Sequence, residues 1–552
     1  MKKFFIAIVV ALSICTMLTM SIAQAKNKLK DQPGKIIYIP HDNRPISDKQ
    51  TAEVIEKLGY EVIVPPNDLL GSRDDLGNPE KLCQWLEDNT TKEIQAAVIS
   101  SDSLIYGSLV GSRKHNLNEQ IIFERAARFK EFRKDHKKLP LYVFGSIMRT
   151  PQSGEASGYE EPEYYRSYGA DIFRYTALKD KQDMEGLNFR EKKEVNFLER
   201  LIPTKSLNDW MDRRQKNLNA NRQLIDLAKG NAFNYLLLGR DDNAPYSQTH
   251  KESRFLQEYG KDLGKSKYQA IAGIDEIGML LLTRAINDRN KKSPQVYVKY
   301  NWGRGGQTIP AYSDETIEAS IDSSIIAIGA VKVPSPERAN VVLTVNTNPN
   351  GKTYEANYPI NDGKEREGTK YFAEIISDYV NKGYRVAVAD IAFANGSDNA
   401  LMEQLKDRGL LFKIKAYSGW NTPTNSANFV LSTAMLSNYM TDKAIDDLLI
   451  TRYLDDWVYQ ANVRNIIARQ LNWLRGDGWY GTLNGKRDVV SERATNMLNH
   501  FVSNNLPQFE GSNKLLVTFP WNRMFESDIL RGQQAIDEVD RNTPHIKAAT
   551  VE

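Results

Sequence analysis

Cysteine is almost missing from this sequence. Among 552 residues there are two cysteines, Cys15 and Cys83, and Cys15 falls in an N-terminal segment that we expect to be removed. A single remaining cysteine excludes an intrachain disulfide and a cysteine-rich zinc site. Because residues 81–86 form an amphipathic segment, we interpret Cys83 as a small buried apolar residue and not as a nucleophile.

An excess of charge of either sign is also lacking. The chain has 73 Lys and Arg against 70 Asp and Glu, and loss of Lys2 and Lys3 with the N-terminal segment takes the 73 basic residues to 71. The densest basic run, residues 133–138, is typical of a solvated helix end. A nearly neutral protein without a basic stripe argues against nucleic acid as its partner.

Long apolar runs are absent except at the N-terminus. Lys2 and Lys3 precede an apolar stretch over residues 4–20 and an Ala-x-Ala sequence that ends at Ala25. This pattern predicts a secretory signal peptide over residues 1–25, hence a secreted or extracytoplasmic protein, free or associated with the cell surface. We expect no stable membrane insertion after cleavage. Retention as an anchor is disfavoured because the stretch is near the lower length limit for a spanning helix.

The chain does contain many short apolar runs, each followed by polar residues. Such runs, separated by helical stretches, predict strands of parallel α/β sheets that are buried on both faces. A barrel-like or Rossmann-like N-terminal unit is predicted over residues 26–290, and its insertion at 155–225 is typical of a lid or a substrate wall. Its strands are predicted near 35–40, 61–65, 96–101, 141–147, 234–239 and 268–274.

A second α/β unit is predicted over residues 291–430, followed by a mainly helical region over 431–552. The strands of the second unit are predicted at 296–300, 340–346, 385–390 and 412–416. The glycine-rich stretch at 302–306 lacks the Lys-Ser/Thr of a phosphate loop and the spacing of a dinucleotide fingerprint. We therefore interpret it as a plain loop and predict no cofactor.

The most informative polar pair is Asp241-Asp242, directly after the apolar run 235–238. Active sites of α/β folds lie at the carboxyl ends of strands, and neighbouring carboxylates push their pKa values apart. Paired carboxylates suit glycosidic hydrolysis: one protonates the leaving oxygen, and the other assists attack or orients the amide of an N-acetyl sugar. We predict Asp242 as the general acid and Asp241 as the assisting carboxylate. An acidic helix cap is the alternative interpretation.

Polar residues after the other strands are predicted to bind sugar hydroxyls or a ring face. These predicted substrate-binding residues are Asp42, Arg44, Asp102, Arg149, Arg240, Asp275, Glu276, Asp390, Trp420 and Asn421. Because parallel strands present their carboxyl ends on one side, we expect Asp42, Asp102, Asp242, Asp275 and Trp420 to line one cleft. The sequence thus predicts a secreted glycoside hydrolase that acts on a polysaccharide or cell-wall glycan, including one with N-acetylated sugars.

Two other functions stay open at this point. A metal-dependent hydrolase would use His41, Asp42, Asp102, Asp242 and His250. None of these residues has the His-x-x-x-His spacing of a helical metal site, so we predict no metal. A non-catalytic extracytoplasmic protein that binds a solute or sugar would use a cleft between the two α/β units. No oligomeric state follows from the sequence.

Four segments, taken in order along the chain, resemble a bacterial family called domain of unknown function 4127. They are Ile39-Pro40-His41-Asp42-Asn43-Arg44-Pro45, Ser101-Asp102-Ser103-Leu104-Ile105-Tyr106-Gly107, Gly239-Arg240-Asp241-Asp242-Asn243-Ala244-Pro245 and Gly419-Trp420-Asn421-Thr422. The resemblance covers nearly all of the mature chain. It implies no activity, so the expected mechanism rests on the residues alone.

Overall fold

The structure, a computed structural model, describes residues 33–154, 159–470, 481–509 and 514–542. The predicted signal peptide over residues 1–25 lies outside these ranges, as do residues 155–158 at the start of the predicted insertion. Within the described ranges, no helix is both long enough and apolar enough to cross a membrane.

The first sheet has six strands, all parallel, in the order β2-β1-β3-β4-β5-β6. Its strands are β1 (Lys35–Ile39), β2 (Glu61–Ile63), β3 (Ile94–Ser100), β4 (Leu141–Ile147), β5 (Tyr235–Arg240) and β6 (Tyr268–Ala272). Every residue of β4 and β5 is buried, as expected for strands that are covered by helices on both faces. The predicted parallel α/β fold is confirmed.

Helices cover both faces of the first sheet, and three of them form the insertion between β4 and β5. The helices of this unit are α1 (Lys49–Glu56), α2 (Pro79–Asn89), α3 (Ser101–Tyr106), α4 (Leu109–Lys114), α5 (Glu119–Asp135), α6 (Tyr165–Met184), α7 (Phe189–Leu201), α8 (Thr204–Lys229), α9 (Gln248–Tyr259) and α10 (Ile277–Asn290). The insertion has a small apolar core of its own around Tyr165, Ile172 and Trp210.

The second sheet has five parallel strands in the order β8-β7-β9-β11-β13. They are β7 (Gln295–Tyr300), β8 (Val331–Lys332), β9 (Val341–Asn346), β11 (Val386–Asp390) and β13 (Ala416–Ser418). The strand predicted at 412–416 begins only at Ala416. Before it the chain turns, because the N–H groups of Lys413 and Ile414 both donate to the Leu410 carbonyl.

The two sheets repeat one strand order, since in each the first strand lies between the second and the third. Ligands of such open sheets bind at the carboxyl ends of the strands, where the order reverses. A short parallel pair, β10 (Tyr354–Glu355) and β12 (Phe393–Ala394), lies beside the second sheet. The helices of the second unit are α11 (Ile317–Ala327), α12 (Glu367–Asn381), α13 (Asn399–Asp407) and α14 (Pro423–Leu436).

A buried helix, α14, packs against both units. All fourteen residues of α14 are buried, and this helix packs on α10 of the first unit and on β9, β11 and β13 of the second. A single apolar cluster therefore extends from Ile36 in the first sheet to Val388 in the second. The shared core fixes the position of one set of strand ends relative to the other.

The C-terminal region is mainly helical, as predicted, and adds one small hairpin. It contains α15 (Asp442–Arg452), a π-helix (Tyr453–Val463), α16 (Arg464–Gln470), α17 (Arg487–Asn505), the antiparallel strands β14 (Leu515–Thr518) and β15 (Asp528–Arg531), and α18 (Gln533–Asn542). The segment between β14 and β15 reaches back to the first sheet, where the Trp521 indole N–H donates to Asn43 Oδ1 over 2.7 Å.

Candidate functional site

A cavity of about 500 Å³ lies where the carboxyl ends of the two sheets meet. The first sheet contributes the loops that follow β1, β4, β5 and β6. The second sheet contributes the loops that follow β7 and β13, and the short β10–β12 pair contributes the loop that follows β12. The lining consists of Arg44, Arg113, Arg149, Thr150, Pro151, Gln152, Ser153, Glu160, Asp241, Asp242, Asn243, Asp275, Ala311, Tyr312, Asn395, Asn421, Thr422, Arg523 and Phe525. A pocket of this size is in the range that encloses a small ligand.

Asp242 points into this cavity from a turn that begins directly after β5. Its φ is +22°, so its side chain leaves the backbone in a different direction from that of Asp241. The side chain is 27% exposed, and Arg149 Nη1 donates to Oδ2 over 3.1 Å. Burial, followed by the charge of Asp241, raises the pKa of Asp242 to about 7, although Arg149 and Arg113 oppose the shift. A carboxyl group with this pKa is protonated in slightly acidic to neutral water.

Asp241 is anchored by an arginine that the sequence did not single out. Arg113 of α4 donates from Nη2 to Asp241 Oδ2 over 2.6 Å and from Nη1 to Glu160 Oε2 over 2.5 Å. Both the Arg113 and Asp241 side chains are almost completely buried. The pair Asp241 and Asp242 is therefore asymmetric, because one acid has a tight arginine partner and the other has a longer contact and more access to the cavity.

Asp275, in the loop after β6, is a second acid that lines the cavity, and two hydrogen bonds fix its side chain. Arg44 Nη2 donates to Oδ1 over 2.6 Å, and Asn421 Nδ2 donates to Oδ2 over 2.5 Å. Burial acts to raise the pKa of Asp275, but Arg44, and after it His41 and Asn421, lower that pKa well below its usual range. The surroundings of Asp275 thus favour its ionised form, whereas burial favours the protonated form of Asp242.

Asp42 lies behind this arrangement and orients Arg44. The Arg44 Nε donates to both carboxylate oxygens of Asp42, over 3.0 and 2.9 Å, and Asp42 is completely buried. His41, also buried, lies beside the same guanidinium at 3.1 Å from Nη2. Asp42 and His41 thus fix the orientation of the Arg44 guanidinium, which donates to Asp275 at the cavity.

Glu160, from the insertion, binds three of the arginines in the lining. Its carboxylate forms ion pairs with Arg113 at 2.5 Å, with Arg523 at 2.6 Å and with Arg149 at 3.1 Å. Burial disfavours its charge, yet Arg523, Arg149 and Arg113 together hold the pKa of Glu160 well below its usual range. The insertion is therefore part of the wall of the cavity.

The C-terminal segment closes the site from the opposite side. Arg523 donates to both oxygens of Glu526 over 2.5 Å, and its guanidinium carbon lies 5.1 Å from the centre of the Trp521 ring. Arg44 lies 5.3 Å from the same ring. Phe525, in the same C-terminal segment, supplies an aromatic side chain to the lining of the cavity. The cation–π contact between Arg44 and Trp521 helps to hold the segment against the first sheet.

Of the five residues expected to share one cleft, Asp242 and Asp275 line the cavity, and Asp42, Asp102 and Trp420 do not. Asp102 is buried and accepts from Ser146 Oγ over 3.0 Å, and burial raises its pKa to about 6. Trp420 is 3% exposed, and its ring packs on Phe525 at 5.5 Å. These residues support the lining from behind.

Three more of the predicted substrate-binding residues lie outside the lining. Arg240 is buried and pairs with Asp314 and Glu315 over 3.0 and 2.7 Å, which ties β5 to the second unit. Glu276 accepts from Asn421 Nδ2 over 3.3 Å, and burial followed by the charge of Asp275 raises its pKa. Asp390, at the end of β11, is completely buried. Arg44, Arg149 and Asn421 do line the cavity.

Of the five residues that a metal-dependent hydrolase would use, only Asp242 lines the cavity. His250 lies on α9 and its Nδ1 is 2.6 Å from Asp180 Oδ2, and neither residue lines the cavity. Over the parts of the chain that the structure describes, no group of three or more His, Cys, Asp or Glu side chains is arranged to hold a metal ion.

Backbone strain is concentrated at the cavity. The described residues include eight non-glycine residues with positive φ, and four of them, Asp242, Tyr312, Asn395 and Asn421, line the cavity. Asparagine tolerates this conformation, whereas tyrosine adopts it at a cost. Strained residues of this kind cluster at functional sites. The clustering of positive-φ residues does not depend on the electrostatic observations, and it indicates the same cavity.

Sequence patterns did not single out several residues of the lining, among them Arg113, Glu160, Tyr312, Arg523 and Phe525. Glu160 lies in the acidic, tyrosine-rich start of the insertion, which was predicted to be a wall without any residue being assigned. Tyr312, Arg523 and Phe525 follow no long apolar strand, so the rule that located Asp242 and Asp275 does not apply to them.

The chain belongs to the family described as protein of unknown function (DUF4127), which it matches over residues 36–530. The match confirms the resemblance noted in the sequence and includes every residue of the cavity. A comparison with curated proteins gave no match.

Proposed function

We propose that the protein is a glycoside hydrolase that cleaves a polysaccharide or cell-wall glycan, including one with N-acetylated sugars. The observation that carries the proposal is the pair formed by Asp242, whose pKa is raised to about 7, and Asp275, which stays ionised, in one cavity. Carboxyl groups whose environments push their pKa values apart are the acid and the charged partner of such reactions.

In the proposed mechanism, Asp242 donates its proton to the oxygen of the leaving sugar. Asp241 assists attack at the anomeric carbon, either on water or by orienting the substrate's own acetamido group. Asp275, held ionised by Arg44 and Asn421, stabilises the positive charge that develops on the sugar ring. After bond cleavage, water supplies the hydroxyl group to the new reducing end and a proton to the enzyme.

The charge balance of the cavity supports a neutral substrate. Each of its four arginines already pairs with at least one carboxylate, so little positive charge is left to bind a polyanion. The pairs are Arg44 with Asp42 and Asp275, Arg113 with Asp241 and Glu160, Arg149 with Glu160, Glu161 and Asp242, and Arg523 with Glu160 and Glu526. Amide and hydroxyl groups of Asn243, Asn395, Asn421 and Thr422 in the lining suit sugar hydroxyls.

The action is proposed to take place outside the cytoplasm, on the basis of the basic and apolar sequence of residues 1–25. A glycan of the cell surface or of the surroundings is the matching substrate class.

The test is turnover of a panel of chromogenic glycosides, including N-acetylglucosaminides, by the wild type and Asp242→Asn. Loss of the general acid is expected to lower kcat by about 10² or more. Asp48→Asn is the control, because burial also raises the pKa of Asp48 to about 7 although it lies outside the cavity. Unchanged turnover by Asp242→Asn would remove this residue from the mechanism.

A sugar- or solute-binding protein without catalysis is the alternative that one observation favours, because the cavity lies between two α/β units. A ligand that raises the Tm and is recovered chemically intact would support a receptor. Recovery of cleaved ligand would support the hydrolase.

A further inference from the structure

The cavity does not end at Tyr312. A second cavity of about 380 Å³, open to solvent, adjoins it. The two share four lining residues, Gln152, Asn243, Ala311 and Tyr312. The site is thus an elongated cleft with two compartments, and the second compartment extends over the loop that follows β9.

Tyr312 forms the boundary between the compartments, and its position is held at three points. Its φ is +63°, its carbonyl accepts from the Asn243 N–H over 3.0 Å, and its hydroxyl donates to Glu355 Oε1 over 2.6 Å. The other oxygen of Glu355 accepts from Asn395 Nδ2 over 2.9 Å. A tyrosine kept in an unfavourable backbone conformation by these bonds gives the cleft a fixed ridge.

The two compartments differ in chemistry. The first is lined by Glu160, Asp241, Asp242 and Asp275. Of the described residues that line the second, none is acidic. Its surface is formed by apolar and aromatic side chains with a few hydroxyl groups and an amine, among them Ile309, Pro310, Lys352, Thr353 and Tyr354. Because this surface has no carboxyl group, it lacks the acid that glycosidic cleavage requires. Its composition suits recognition of a ring with an apolar face and polar edges.

Besides Tyr312, the second cavity is lined by the aromatic side chain of Tyr354. Its hydroxyl accepts from Asn350 Nδ2 over 3.0 Å, and its ring packs on Phe393 at 6.2 Å. Because both ends of the side chain are held, binding a sugar against the ring requires little further loss of conformational entropy.

We propose that the second cavity is a subsite for a neighbouring sugar unit, so that the natural substrate is an oligomer that crosses the Tyr312 ridge and not a single small glycoside. This inference rests on the proposed function and names its substrate class. Tyr354 then determines the preference for long substrates, while Asp242 and Asp275 act on the bond in the first cavity.

The experiment measures kcat and KM for N-acetylglucosamine oligomers of increasing length, starting from a one-unit aryl glycoside, and for the matching glucose series. For the wild type, kcat/KM is expected to rise with length. In Tyr354→Ala, kcat/KM for the oligomers falls on the order of tenfold through a higher KM, and the one-unit substrate is unaffected. Tyr358→Ala is the control, because Tyr358 is 51% exposed and lines neither cavity.

Equal kcat/KM for short and long substrates, or equal losses on both in Tyr354→Ala, would overturn the subsite while the hydrolase stands. If the wild type cleaves no substrate, calorimetric titration with the same oligomers separates the two ideas. Binding that strengthens with length and weakens in Tyr354→Ala would uphold the subsite and reject hydrolysis. No binding of any oligomer would overturn both.

Discussion

The two sheets share a strand order, but the acids at their carboxyl ends have different surroundings. Asp242 follows β5 of the first sheet and faces the cavity, whereas Asp390 ends β11 of the second sheet and is completely buried. Burial raises the pKa of both to about 7. A raised pKa therefore does not distinguish the two acids, and access to a cavity does.

Asp390 is surrounded by donors from its own unit. It accepts from Asn346 Nδ2 over 2.9 Å, from the Asp398 N–H over 2.7 Å and from the Tyr417 hydroxyl over 2.7 Å. These bonds connect β9, β11, α13 and β13. An acid whose oxygens are occupied in this way fixes strand ends in place, and because Asp390 is completely buried it does not reach a ligand in the cavity.

The second sheet still contributes to the site, through loops and not through acids. Asp456 of the π-helix accepts from the Gly419 N–H over 2.8 Å, and this bond fixes the loop that carries Asn421 to Asp275. π-Helical turns are rare and frequently occur at functional sites. In the proposed mechanism, the first unit supplies the reactive groups, and the second unit positions them and supplies part of the binding surface.

The largest expected effect is on stability, from Asp398→Ala in the second sheet. Asp398 is 1% exposed, pairs with Arg366 and caps α13 by accepting from the Ala400 N–H over 3.0 Å. Loss of a buried pair and a cap is expected to lower the free energy of unfolding in urea by about 3–5 kcal/mol. The rate per folded molecule should not change.

Asp378→Ala is the control for that variant. Asp378 pairs with Lys382 over 2.7 Å on α12, and both side chains are more than half exposed, so the expected loss is below about 0.5 kcal/mol. Equal losses of unfolding free energy in the two variants would contradict the structural role of Asp398. A large fall in kcat for Asp398→Ala would contradict the proposal that the reactive groups come from the first sheet.

The next effect is on rate, from the same substitution made at one strand end of each sheet. Asp275→Asn removes the ionised partner of Asp242 and is expected to lower kcat by about 10²–10³ on the substrate found with the glycoside panel. Asp390→Asn keeps most of its contacts, faces no cavity, and is expected to leave kcat unchanged. Thermal unfolding of both variants excludes loss of folded protein as the cause. Similar kcat values for the two variants would contradict the assignment.

A third expected effect is on pH dependence. Since Asp242 must be protonated to act as the acid, and its pKa is about 7, the rate should be retained below pH 7 and fall about tenfold per pH unit above it. The charge of Asp241 raises that pKa, so Asp241→Asn should move the falling limb to lower pH. Asp390→Asn should leave the limb in place. If the pH at which the rate falls changes in Asp390→Asn and not in Asp241→Asn, the general acid is not Asp242.

The strands and their polar ends were predictable because a buried parallel strand leaves a short apolar run, and backbone geometry forces polar residues to follow it. Asp242, Asp275, Arg44, Arg149 and Asn421 were found in this way. The same rule also selected Asp102, Arg240, Glu276, Asp390 and Trp420, which do not line the cavity, because the direction of a side chain after a strand depends on the loop conformation.

The remaining residues of the lining depend on long-range packing. Arg523 reaches Glu160 only because the segment between β14 and β15 folds back over the first sheet, and Arg113 reaches Asp241 from a helix, not from a strand end. A short stretch of sequence does not predict contacts between residues that are far apart along the chain. A hint was present in the Glu160-Glu161 pair, since adjacent acids in a long insertion need basic partners if they are buried.

The smallest expected effect concerns Trp420, the residue predicted to offer its ring to a sugar. Its ring is buried against Phe525, and Nε1 has no hydrogen-bond partner among the described residues. Trp420→Phe should therefore cost only about 1 kcal/mol of stability and leave KM unchanged. Phe525→Leu, which alters the lining itself, should raise KM. A rise in KM for Trp420→Phe as large as that for Phe525→Leu would mean that the indole contacts the substrate, and the loop after β13 would then contribute Trp420 as well as Asn421 to the binding surface.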